Sequence, residues 1–404
     1  LKHHRAPLYA LAAIFLIALQ LRLPLMLTAK PKTYAAYFML AQSIRHHQGM
    51  VYDGEAYTEV SHLRKPPVLP YLLAQFSNYR YFLYAQAFLS ALLVAPIFLL
   101  GLRWSGRAAG LIAALLWALW GPSLQLAAMI RPETLFLLFF LIGLLCALRF
   151  EESRHWWLTA LAGLAFACAE LTRTVLLVFA VLLTVDFLRR IPTAEHRKRF
   201  VLATVALAVG FAAPIGIYHL AKREHGLTWV YDRKGLVLLY STWEGGMEDT
   251  ELSIKRYIQQ VRPDNWEQMT DSQREHFVMG LAWRELMRHP AASAGRASQK
   301  VFRFWIGRYG YWKTSWLSPS LLLSLLALVG LLSLRRKNRA GFRWSLFLVL
   351  NFTLIAAVTH EKALFREVIT PWYLALAAVG VVAVVRQAKQ RIDRRRSETP
   401  ENAT

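Results

Sequence analysis

Cysteine is nearly absent, two in 404 residues, which excludes a disulfide-stapled secreted scaffold. Acidic residues are few, 25 Asp and Glu against 48 Lys and Arg, leaving a formal charge of +23. A Walker loop, a Gly-rich dinucleotide turn, a His-Glu-x-x-His pattern and a Cys-x-x-Cys pair are all missing, which sets aside the common soluble nucleotide and metal enzymes. No Asp-x-Asp pair exists to hold a metal-bound nucleotide sugar, which argues against a soluble nucleotide-sugar enzyme. Apolar surface is what abounds: 56% of residues are hydrophobic and 13% aromatic, with mean hydropathy +0.31. That composition belongs to a membrane protein. The basic residues sit in short clusters between apolar runs and form no single face, so nucleic acid is excluded as a partner and the charge reads as topology.

A hydrocarbon core about 30 Å thick takes roughly 20 residues at about 1.5 Å rise. The candidate runs are Pro7–Leu27, Tyr81–Leu102, Ala108–Leu126, Pro132–Leu148, Trp156–Leu171, Val175–Leu188, Phe200–Leu220, Ser315–Leu334, Phe342–Val358 and Val368–Val385. They predict an all-α polytopic membrane protein with about ten transmembrane helices. Arg103, Arg107, Arg149, Arg154, Arg189, Arg190, Arg335 and Arg336 fall in one set of connections, while the opposite short ones hold only Arg131, Arg173, Lys362 and Arg366. The basic set marks the cytoplasmic side, and an even number of spans puts both termini there. A multi-pass membrane protein is expected, and the resemblance described below implies a bacterial inner membrane. The first span has no small-residue cleavage site after it and reads as a retained anchor.

Four parts are expected: a transmembrane module over 1–220 with an outer loop at 28–80, an outer segment over 221–314, further spans over 315–386, and a basic, disordered tail over 387–404. Within the outer loop, Tyr34–Ile44 has helical apolar spacing, and Pro66–Phe76 opens on a Pro pair suited to a helix start. Both are juxtamembrane helix candidates. The outer segment is expected to be small and mainly helical. Thr270 and Gln273 resemble a capping box, and Val278, Leu281, Ala282 and Leu286 repeat on one face until His289-Pro290 stops the helix. Cys146 and Cys168 lie on adjacent spans at depths differing by about 15 Å, beyond the ~7 Å reach of a disulfide, so both are predicted to be free thiols.

Ionisable groups at membrane depth are costly and are usually paired or functional. Here they gather at the outer ends of the spans. Arg131-Pro132-Glu133 opens the fourth, Glu170-Leu171-Thr172-Arg173 closes the fifth, His360-Glu361 and Arg366 lie between the ninth and tenth, and Lys65-Pro66-Pro67 joins them from the first outer loop. Guanidinium and ammonium groups facing a membrane-level cavity suit a lipid phosphate. Plainer readings stand beside this one. Glu170 and Arg173, spaced i, i+3, can neutralise each other, Arg131 can be a snorkelling anchor, and Asp186 ahead of Arg189 and Arg190 reads as a solvated helix pair. His3-His4 and His46-His47 lack companions at ligand spacing, so no metal site is read, although a divalent cation remains compatible with the reaction below.

In this order, several stretches resemble the GT-C integral-membrane glycosyltransferases, in particular the bacterial relatives of protein O-mannosyltransferases and of the lipid A aminoarabinose transferase. They are Tyr37 to Ala41 with Gly49, Arg64 to Pro70, Arg131-Pro132-Glu133, Gly163 to Arg173, Glu275 to Pro290 leading to Phe304-Trp305, and His360 to Pro371. The resemblance implies transfer of a sugar from a polyprenyl-phosphate-linked donor to a lipid, glycan or protein acceptor at the periplasmic face, with inversion. It implies membrane lipids as surroundings and no organic cofactor. Lys65 looks like the family's phosphate-contacting Lys, with Arg131, Arg173 and Arg366 beside it as donor-phosphate groups. Tyr37, Glu170, His360 and Glu361 complete the expected cavity. Such enzymes usually carry an Asp before the first-loop Tyr, where this chain has Thr33-Tyr34. The catalytic carboxylate is therefore sought among Asp53, Glu55, Glu59, Glu133 and Glu170, with Asp53 preferred. A non-catalytic lipid-phosphate-binding relative and a transporter are the alternatives.

Overall fold

The computed structural model describes residues 2–28, 35–47, 66–192, 197–223, 238–239, 250–269, 271–306, 319–358 and 367–398. Among them the regular structure is helical. In chain order these are α1 (Lys2–Thr28), α2 (Ala35–Arg45), α3 (Val68–Ala74), α4 (Tyr79–Leu92), α5 (Val94–Ser105), α6 (Arg107–Leu119), α7 (Gly121–Ala127), α8 (Glu133–Ser153) and α9 (Trp157–Thr172). The chain continues with α10 (Leu177–Arg190), α11 (Arg197–Arg223), α12 (Thr250–Val261), α13 (Asp271–Arg288), α14 (Pro290–Ile306), α15 (Pro319–Lys337), α16 (Arg339–Val358) and α17 (Thr370–Glu398). Each of the apolar runs expected to span coincides with a helix or a helix pair. Among the described residues α1, α8, α11, α16 and α17 are each long and apolar enough to cross a membrane, the α4–α5 run over 79–105 makes a sixth span, and the α6–α7 pair, bent by 56°, makes a seventh; α9 is a shorter apolar helix. The all-α polytopic membrane fold is therefore present.

One large core runs through the bundle, from Ile97, Trp117 and Phe140 to Phe166, Phe179, Trp344 and Trp372. Exposed apolar residues along α1, α11 and α15, such as Leu16, Val205, Val209, Leu322 and Leu325, face outward as lipid-facing side chains do. With lipid on the outside, helix association relies on close packing and small residues. Gly163 of α9 meets Gly210 of α11, and Gly330 of α15 meets Gly380 of α17, so closely that a Cβ on any of the four would strike the partner's backbone. Gly330→Val is therefore expected to lower stability by about 1–3 kcal/mol through overpacking. Gly295→Ala, inside α14 with open space around its Cβ position, is expected to hold or slightly raise the thermal midpoint in detergent, since Ala favours a helix interior over Gly.

The ends of the bundle differ in chemistry. At one end, Arg103 pairs with Glu152 at 3.4 Å, Arg190 with Glu151, and Arg343 with Asp186 at 3.1 Å. Asp186 is buried and also meets Arg190 at 3.3 Å, so it ties α10 to α16 and is not the solvated pair its spacing suggested. Glu133 begins the 21-residue α8 that ends near Glu151, so it lies about 30 Å away at the opposite end. The basic tail differs from expectation as well: 387–398 continue α17 as helix. Its Gln, Ala, Lys and Arg residues have high helix propensity and extend a turn already nucleated in the membrane, which outweighs their charge.

The first-loop helices form as the spacing predicts. Asn78 caps α4 by accepting from the Arg80 N–H at 2.9 Å, and α2 packs on α3. In the outer segment, Val278, Leu281 and Ala282 join Leu239, Ile254 and Trp266 in a small separate core, and α13 stops before Pro290. Thr270 of the expected capping box lies outside the described residues. Both cysteines are free thiols.

Candidate active site

The α6–α7 break prepares the site end of the bundle. Pro122 has no N–H, so the Ala118 carbonyl loses its helical donor, and the backbone turns at Trp120 (φ −67°, ψ 108°). Arg22 of α1, fully buried, supplies the missing donors. Its Nη1 donates to the Ala18 and Ala118 carbonyls at 2.9 and 3.3 Å, its Nη2 to the Trp117 carbonyl and Ser123 Oγ at 3.4 and 2.8 Å, and its Nε to Ser90 Oγ at 2.9 Å. Gln86 of α4 then donates to the Leu126 and Ala127 carbonyls at the end of α7, at 3.0 and 3.2 Å. The short turn from Ala128 leads directly into Arg131-Pro132-Glu133.

Glu133, first residue of α8, is buried, and its Oε1 forms an ion pair with Arg173 at the end of α9. Its Oε2 is buried with no hydrogen-bond partner among the described residues. Glu170 also serves the backbone. Its Oε2 accepts from the backbone N–H groups of Val175 and Leu176 at 2.9 and 2.6 Å, satisfying donors at the start of α10. Asn351 of α16 completes that cap, accepting from the Phe179 N–H at 3.1 Å and donating to the Val175 carbonyl at 2.9 Å. Glu170 is therefore placed as the buried cap of α10, beside the Glu133–Arg173 pair.

Tyr37 lies in an apolar cluster with Leu69, Leu73, Phe82, Ile130 and Leu135. The last two flank Arg131 and Glu133, so the first-loop helices are seated against the ion-paired turn, and α3 also touches α9. Asp53, Glu55, Glu59, Lys65, His360, Glu361 and Arg366 lie outside the described residues. Immediately after the last group, Glu367 is buried, and its Oε2 accepts from Trp120 Nε1 at the α6–α7 break, at 3.3 Å. Three carboxylates, Glu133, Glu170 and Glu367, thus stand buried at helix boundaries.

Arg22, Gln86, Asn351 and Glu367 were missed by the sequence reading. Arg22 carried a signal, a lone cation inside an apolar span. Gln86 and Asn351 carried none, because a neutral amide within an apolar run does not reveal which broken helix it serves. No group of three or more His, Cys, Asp or Glu that could hold a metal ion gathers among the described residues.

Residues 59–225 match the family model for dolichyl-phosphate-mannose-protein mannosyltransferases, a stretch containing Lys65, Arg131, Glu133, Glu170 and Arg173. No curated protein matches the chain by sequence. Among solved structures, the archaeal oligosaccharyltransferase AglB from Archaeoglobus fulgidus, in complex with an inhibitory peptide and a dolichol-phosphate, is 14% identical with a TM-score of 0.54, covering 99% of this chain and 53% of that one. A structure of the Archaeoglobus fulgidus oligosaccharyltransferase with Zn and sulfate is 13% identical with a TM-score of 0.54, covering 95% of this chain and 50% of that one. The chain spans about half the length of these structures, and at such identities the likeness is one of fold.

Proposed function

We propose, from the premise that the chain is a GT-C membrane protein with a protein-mannosyltransferase-like segment, that it transfers a sugar from a polyprenyl-phosphate-linked donor to a lipid, glycan or protein acceptor. The observation that carries this reading is the Glu133–Arg173 ion pair, with Arg131 two residues before Glu133, at the end of the bundle opposite the Asp186 cluster and inside the family-matched stretch. The leaving group of such a reaction is a lipid phosphate whose negative charge grows in the transition state. Guanidinium groups held in place beforehand stabilise that charge without reorganising. A carboxylate takes the proton of the acceptor hydroxyl as the new C–O bond forms and the donor's C–O bond breaks on the opposite face, giving inversion.

Glu170 accepts from the backbone at the start of α10 and Glu133 pairs with Arg173, which supports Asp53 or Glu55 of the first outer loop as the preferred base. Lys65 joins the arginines at the phosphate. The charge distribution supports both termini in the cytoplasm and the reaction on the outer, periplasmic face of a bacterial inner membrane. A non-catalytic lipid-phosphate-binding relative is the second reading, favoured by Thr33-Tyr34 in place of the family's acidic residue.

The test is transfer of radiolabelled sugar from an undecaprenyl-phosphate-linked pool in membranes. Wild type is expected to label an acceptor, and Lys65→Ala and Asp53→Asn are each expected to reduce labelling by at least 10²-fold, the scale of removing one electrostatic or acid–base contributor. Labelling intact in Asp53→Asn but lost in Lys65→Ala moves the base to Glu55. Donor lipid bound by wild type with no transfer selects the non-catalytic relative.

A further inference from the structure

The first-loop helices leave a cavity that the phosphate site does not use. It has a volume of about 240 Å³ and lies where α2, the end of α3 and the start of α4 meet. Phe38, Ala41, Gln42 and Arg45 line it from α2 at i, i+3, i+4 and i+7, one face of that helix, and the chain from Leu73 to Tyr79 closes the other side. The rings of Phe38 and Tyr79 stand at 86° with centroids 6.4 Å apart, forming an aromatic corner. Around it are the Gln42 amide, the Ser77 hydroxyl, the Asn78 amide and the Arg45 guanidinium. Arg45 is fixed in place: its Nε donates to the Ala74 carbonyl at 3.3 Å and its Nη2 to the Phe76 carbonyl, which anchors it on the end of α3. Asn78 is fixed likewise by its cap to Arg80.

We infer that this cavity is a subsite for one sugar ring, an inference that rests on the glycosyltransferase reading above. A pyranose presents an apolar C–H face and a rim of hydroxyls that both donate and accept. Aromatic walls suit the face, while amide, hydroxyl and guanidinium groups suit the rim. The volume is below the ~300 Å³ at which pockets for drug-sized ligands begin, and it matches a single ring. Position agrees with chemistry. Ala41 and Leu73 line the cavity and also belong to the apolar cluster that packs on Ile130 and Leu135, either side of Arg131 and Glu133. The subsite and the turn assigned to the donor phosphate therefore share one apolar cluster. The ring can belong to the donor or to a glycan acceptor, and the chemistry is shared.

The experiment uses the full chain in lipid nanodiscs and saturation-transfer NMR with methyl glycosides of common hexoses and pentoses. Ring-proton signals are expected for wild type and are expected to fall at least fivefold in both Phe38→Ala and Gln42→Ala. Gln42 is exposed, so its truncation spares the fold. Transfer assays separate the sources. A tenfold rise in acceptor KM with unchanged donor binding assigns the ring to the acceptor, and weaker donor binding with unchanged acceptor KM assigns it to the donor. No signal in wild type, or equal signals in wild type and both variants, overturns the subsite. Glycoside binding through this cavity in a chain that never transfers sugar keeps the subsite and removes the transferase reading.

Discussion

Arg22→Ala is expected to be the most destabilising single change in the protein. Four of the hydrogen bonds of this side chain cross to other helices, to Ser90, Trp117, Ala118 and Ser123. Interhelical bonds in membrane proteins contribute about 0.6–1.7 kcal/mol each, so the loss is on the order of 2–7 kcal/mol, before counting the cavity left beside Trp117. The Ala118 carbonyl suffers most, because Pro122 already denies it a helical donor and a buried acceptor left unpaired is costly. Arg22→Lys keeps the charge but not the planar fork that reaches Ser90, Ser123 and two carbonyls together, and recovers only part of the loss. The thermal midpoint of the detergent-purified protein should fall in the order wild type, Arg22→Lys, Arg22→Ala. An unchanged midpoint in Arg22→Ala contradicts the idea that this residue holds the α6–α7 break.

Breaking the Glu133–Arg173 pair is expected to have the largest effect on activity. Removing one partner of a buried pair leaves the other charge uncompensated, at a cost of about 3–5 kcal/mol, whereas replacing both with neutral side chains of similar volume is often close to neutral. Stability should therefore fall in Glu133→Gln and in Arg173→Met and return in the double variant. Transfer should not return. If Arg173 stabilises the departing phosphate, every variant lacking it stays at least 10²-fold below wild type, including the stable double variant. Recovery of both stability and transfer in the double variant would make the pair purely structural. The cycle is read by thermal midpoint and by labelled-sugar transfer on the same preparations.

The architecture was legible because membrane helices are written locally. Twenty apolar residues between charges give a span whatever their neighbours do, and the first-loop helices and the stop at Pro290 follow equally local rules. The site was legible only as a set of candidates. Arg131, Glu133, Glu170 and Arg173 stood out as costly groups at span ends, yet their pairing did not. The i, i+3 spacing linked Glu170 to Arg173, and the fold also sends Arg173 across 40 residues of chain to Glu133 and gives Glu170 backbone donors. Asp186 shows the same thing at the opposite end, where a helix-local pair became a link between α10 and α16. Tertiary partners of polar groups depend on which helices become neighbours, and periodicity within one helix carries no record of that. The tail over 387–398 erred in the other direction, since composition suggested disorder where continuation of α17 gives helix.

The most direct measurement is equilibrium binding of undecaprenyl phosphate to the purified protein, in wild type, Arg131→Ala, Arg173→Ala and Arg343→Ala. Arg343 lies at the opposite end of the bundle, on Asp186. The account predicts saturable binding to wild type, a loss of at least tenfold in Arg131→Ala and in Arg173→Ala, and no change in Arg343→Ala. Binding that is absent from wild type, or that weakens only in Arg343→Ala, would contradict a lipid-phosphate site built on Arg131 and Arg173.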